Sequence, residues 1–76
     1  MLLNHSDIYI IEFTMVDGSI HFFYGYNKTG PQIHKAKMYS SLKMANVVAQ
    51  DMMKRSNSGI QDYRIAIISI SRLGLA

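Results

Sequence analysis

The chain has 76 residues, no cysteine and one proline, and carries a formal net charge of +3. A length this short makes one domain, 1–76, whose folding hides only about 60–70% of the surface exposed by the unfolded chain, and the missing thiol excludes disulfide staples, thiolate nucleophiles and sulfur-ligated metals. The longest apolar runs, near residues 8–11 and 65–68, are far too short to cross a bilayer as helices.

The opening stretch MLLNHSD has no basic segment and no long apolar run. No signal peptide and no membrane partner are therefore expected, with a cytoplasmic setting as the default.

Residues 8–26 read as a β-hairpin around Asp17-Gly18. A two-residue turn there, with positive φ at both positions, matches the twist of paired strands. It sets Val16 opposite Ser19, Met15 opposite Ile20, Phe13 opposite Phe22, Ile11 opposite Tyr24 and Tyr9 opposite Tyr26. All of these side chains then share one apolar face, because strand side chains alternate. The other face receives Ile8, Ile10, Glu12 and Thr14 with His21, Phe23 and Gly25. It is greasy as well, which raises the question of what covers it.

NKTG before Pro31 is turn chemistry. The following QIHKAKMY reads either as a short basic edge strand or as the start of a longer helix. SSLKMANVVAQDMMKRS is a helix capped by Ser40 or Ser41, with Leu42, Ala45, Val48, Ala49 and Met52 as its apolar stripe. Met44, Val47 and Met53 widen that stripe. SNSG ends the helix, and the β-branched run DYRIAIISISRL is a final strand whose direction is open. The predicted fold is a two-layer α+β domain: an antiparallel hairpin with a short third strand if QIHKAKMY is one, a helix packed on it, then a last strand.

No motif supports catalysis, a metal or a cofactor. His21 falls diagonally across from Glu12 in the expected register, which suits a cross-strand polar pair on an exposed face. No small-molecule substrate is evident. Positive charge is concentrated in residues 28–55, where Lys28, Lys35, Lys37, Lys43, Lys54 and Arg55 stand against Asp51 alone. These six are candidate phosphate contacts for a nucleic-acid partner. The stronger expectation is protein association. Ile8, Ile10, Phe23, Ile65 and Ile67 are expected to form an exposed patch on the uncovered face, and soluble monomers rarely leave such patches bare. A homodimer, or a protein target, would cover it. On this reading Phe23→Asp breaks association and leaves the core folded.

AKMYSSLKMANVVAQDM, set between an Asp-Gly hairpin and YRIAIISI, resembles the strand-to-helix passage of small accessory proteins encoded by phages and mobile elements. In layout the chain is similar to several anti-CRISPR proteins. The resemblance implies an inhibitor that works by occluding a partner's surface, and it transfers no functional residue. DNA mimicry is not implied, since many mimics of that kind are acidic and this chain is basic.

Overall fold

The computed structural model describes residues 5–55 and 57–71. Strands β1 (His5–Met15) and β2 (Ile20–Gly25) form the expected hairpin, but through a different turn. The Gly18 amide donates to the Met15 carbonyl at 2.9 Å, and the Met15 amide donates to the Ser19 carbonyl at 2.8 Å. Gly18 has φ +88°, whereas Asp17 is not among the residues with positive φ. This is a three-residue loop, Val16-Asp17-Gly18, with the glycine as a left-handed bulge, and not the two-residue turn that needs positive φ at both positions.

The consequence is a shift of one residue. Glu12 pairs with Phe22, Phe13 with His21 and Thr14 with Ile20. Every β2 side chain moves to the face opposite the expected one. Phe23 joins Ile11 and Phe13 in one core cluster, while Phe22 joins Ile10 in another. His21 and Glu12 consequently lie on opposite faces and form no pair. Glu12 is held instead by its β4 neighbour Arg64, whose Nε donates to Oε2 at 2.8 Å.

The loop also carries a titratable contact. Asp17 Oδ1 accepts from the Ser19 hydroxyl at 2.6 Å and from the Ser19 amide at 2.9 Å. These bonds hold the exposed carboxyl below its ordinary value of 3.8. A lowered native pKa stabilises the fold fully above the ordinary value, and that contribution disappears as pH falls from 3.8 to the native value. Thermal melts across this range should show a smaller acid-side loss for Asp17→Asn than for the wild type, since the amide accepts the same bonds without titrating.

Strand β4 (Ile60–Ser71) runs antiparallel to β1 from Met15↔Ile60 to His5↔Ser71. A three-residue strand β3 (Lys28–Gly30) flanks β2, so the order across the sheet is β3-β2-β1-β4. The third strand is therefore KTG. Of QIHKAKMY, Ile33–Lys35 form a single 3-10 turn, and Tyr39 makes an isolated bridge to Tyr9.

Helix α1 (Leu42–Lys54) begins at Ser41, whose Oγ accepts from the Met44 amide at 3.1 Å. It lies on the face that carries Tyr9, Ile11, Phe13 and Met15. Ala45 and Ala49 are fully buried, so the helix approaches the sheet closely along its smallest residues. Tyr63 bridges helix and sheet, donating to Asn46 Oδ1 at 2.9 Å and accepting from Gln50 Nε2 at 3.2 Å. Phe13, Ile10 and Ile11 are the largest fully buried side chains. Burying each from water contributes about 1.5–3 kcal/mol.

The second face is covered by the connection between β3 and α1. Ala36 packs there against Ile10 and Phe22, with Tyr24, Ile8 and Ala66 partly buried around it. Tyr24 Oη accepts from the Gln32 amide at 2.8 Å, tying the connection down. The chain then passes to the helix side where β1 and β2 part. The Lys37 amide donates to the Phe23 carbonyl at 2.7 Å, and Tyr9 and Tyr39 exchange two bonds of 2.8 Å. Tyr39 already belongs to the helix-side core. Both hairpin faces find apolar cover because the connection packs on the second face at Ala36 and then crosses to the first at Tyr39.

Candidate functional site

The five residues expected to form one patch divide between two faces. The β1–β4 register places Ile65 and Ile67 opposite Ile11 and Tyr9, on the helix side, and Ile8 and Ile10 opposite Ile68 and Ala66, on the other. Ile10 is 2% exposed and Phe23 is 5% exposed, so neither is open to a partner. Ile8 and Ile65 are half-buried, and Ile67 is 57% exposed. The patch as expected does not exist, because the shifted register draws Phe23 under α1 and the β3–α1 connection covers Ile10.

What remains open is the outer edge of β4. Among the described residues this strand ends the sheet; its charges, Asp62 and Arg64, lie in its first half, and its 12 residues contain no lysine or proline. Natural edges are usually blunted by such residues. Tyr9 directs both backbone groups towards Tyr39, away from β4. Tyr9 and Ile67 are thus a non-hydrogen-bonded pair, and the Ile67 amide and carbonyl point outward. Alternation points those of Ile65 outward too. Ile67 and Ile68, the latter 42% exposed, present apolar side chains on opposite faces of this same edge.

The six basic candidates are all exposed, but they are dispersed. Lys28 starts β3, Lys35 ends the 3-10 turn, and Lys43 lies in the first turn of α1. Lys54 is at its other end, about 16 Å along the axis. Arg55 is held by Asp51 at 3.1 Å. Lys37 belongs to a different feature.

That feature is a groove of about 470 Å³ between α1 and the β2–β3 turn. Phe23, Val48 and Met52 give it an apolar floor, and Val47 and Asp51 form the helix wall. Opposite stand Tyr26 and Asn27, both central to the turn and both in the left-handed region, with φ 51° and 61°. Asparagine tolerates that conformation, whereas tyrosine is held there at a cost of about 1–2 kcal/mol. The residue is nevertheless 95% exposed. Lys37 closes one end, with its ammonium 5.8 Å from the centre of the Tyr39 ring. Burial pushes the Tyr39 phenol above its ordinary pKa, so it remains a neutral aromatic wall. Sequence reasoning missed this groove. Lys37 and Tyr26 lie far from Val47 and Asp51 along the chain, and only the helix packing brings them together.

Among the described residues no group of three or more His, Asp or Glu could hold a metal ion. No helix among them is long and apolar enough to cross a membrane. Comparison with protein-family models, curated proteins and solved structures finds no match to this chain.

Proposed function

We propose that the chain is a non-enzymatic protein-interaction module that works as a homodimer joined along β4. The observation that carries this reading is the outer edge of β4, which has no partner strand among the described residues and exposes Ile67 and Ile68. A strand edge is completed by another strand through main-chain hydrogen bonds. The occupant that fits is a second copy. Two-fold symmetry places the two β4 strands antiparallel and self-complementary, and residues 65–71 carry no charge, so no like charges meet across an axis near Ile67. The product is a continuous eight-stranded sheet with a helix layer from each copy on one of its faces. Small domains without staples commonly gain stability this way. Such a module acts by covering a surface, as the resemblance to small phage-type inhibitors implies.

Light scattering on a sizing column tests the reading. The wild type should run at twice the 8.6 kDa chain mass. Ile67→Lys should run as a folded monomer, since it places an ammonium at the axis and disturbs no buried side chain. Monomeric wild-type protein, or a dimer unaffected by Ile67→Lys, would reject the β4 interface. Monomeric wild type with excess absorbance at 260 nm would direct attention to nucleic acid and the basic residues instead.

A further inference from the structure

We propose that the groove between α1 and the β2–β3 turn binds a small flat aromatic acid, with the ligand's carboxylate at Lys37 and its ring over the apolar floor beside Tyr26. The proposal is independent of dimerisation, because Tyr63 on β4 meets the helix at Asn46 and Gln50, whereas the groove lies along Val47, Val48 and Asp51.

Charge decides the ligand's sign. Two charged residues line the groove, and they are not equivalent. Asp51 is engaged by Arg55 at 3.1 Å. Lys37 has no carboxylate within ion-pair distance among the described residues, and its ammonium lies over the Tyr39 ring. The uncompensated charge is therefore positive. The ammonium also occupies the place over Tyr39 that a cationic ligand would need, which argues against an aromatic cage for amines.

Shape decides the ligand's body. A volume of about 470 Å³ falls in the range of small-molecule sites, which are mostly apolar with a few convergent polar groups. The groove follows that pattern, with Phe23, Val48 and Met52 as its apolar floor and Tyr26 and Tyr39 among its lining residues. A flat ring system matches such walls. Lys37 is positioned by its own stem: its Cδ lies 3.2 Å from where a Cβ on Gly25 would stand, so a glycine there leaves room for the lysine to lie across the turn. Tyr26 is held on the rim in a backbone conformation that disfavours tyrosine, and it makes no hydrogen bond among those described.

The test titrates isotope-labelled protein with 2-naphthoate, 2-naphthamide and (2-naphthylmethyl)trimethylammonium, following backbone amide shifts. The acid should bind saturably and move Gly25, Tyr26, Lys37 and Val47. The amide should bind roughly ten-fold or more weakly, and so should the acid to Lys37→Gln, as expected for losing one charge-assisted bond. Lys37 is exposed, so this variant should keep the wild-type spectrum elsewhere. Val47→Glu, also on the surface, should abolish binding by placing a second carboxylate in the groove. No saturable shift, shifts centred outside the groove, equal affinity for acid and amide, or tighter binding of the cation would each overturn the proposal.

Discussion

Phe23→Asp is expected to leave the chain unfolded in plain buffer at room temperature, whatever its state of association. Phe23 sits in the core cluster with Ile11, Phe13, Ala45, Ala49 and Met52. Removing a buried phenylalanine side chain costs about 3–5 kcal/mol. Setting an ionised carboxylate there without a partner adds several more. A domain of 76 residues has about 4–11 kcal/mol in total. The loss therefore matches or exceeds the reserve. Far-UV circular dichroism checks this directly, with collapse of the folded spectrum as the expected result. A variant that stayed folded and merely changed mass would restore the two-residue turn, with Phe23 on the outside. This substitution thus discriminates the two registers through stability, and Ile67→Lys probes association without touching the core.

Gly30→Val should destabilise the fold by about 1–3 kcal/mol and melt it several degrees earlier. A Cβ on Gly30 would meet the Tyr24 ring, with its Cζ at 2.7 Å and the hydroxyl closer still. The ring is the piece that must move. It packs in the second core cluster, and its hydroxyl accepts from the Gln32 amide. Displacing it loosens the connection that covers Ile10 and Phe22. The variant should therefore expose that face and bind a hydrophobic dye that the wild type does not. Val16→Thr, on an exposed loop position, provides a control with little expected effect. An unchanged melt for Gly30→Val would mean that Tyr24 does not hold the connection.

Much of this architecture is legible in the residues alone. The helix announces itself through the Ser40-Ser41 pair, its apolar spacing and the SNSG stop; of its expected stripe Ala45, Ala49 and Met52 are buried, whereas Leu42 in its first turn is exposed. The hairpin and the β-branched last strand are equally visible. The register is not, for a specific reason. Asp-Gly suits a two-residue turn, but the same glycine serves as the bulge of a three-residue loop, and its φ is positive in both while that of Asp17 is positive only in the first. Both faces of β1 are apolar, so hydrophobic patterning could not arbitrate between registers one residue apart. The cover on the second face was hidden for a related reason. It buries a single alanine, Ala36, and is anchored through its own backbone to the Tyr24 hydroxyl and to the backbones of Phe23 and Tyr9, none of which leaves a periodic signal. The β4 edge is only partly legible: Ile67 is exposed as its place in the run suggests, yet it lies on the helix side and not on the face of Ile8 and Ile10.

Hydrogen exchange at the Ile65 and Ile67 amides, measured by NMR over a range of protein concentrations, tests the central claim most directly. Both amides point away from β1, so in a single chain they meet solvent, whereas in a β4–β4 dimer they lie at or beside the new ladder. Homodimerisation along β4 requires protection at these positions that rises with concentration and disappears in Ile67→Lys. Rapid exchange at both amides at every concentration, with the inward-facing Ala66 and Ile68 amides protected throughout, would contradict it.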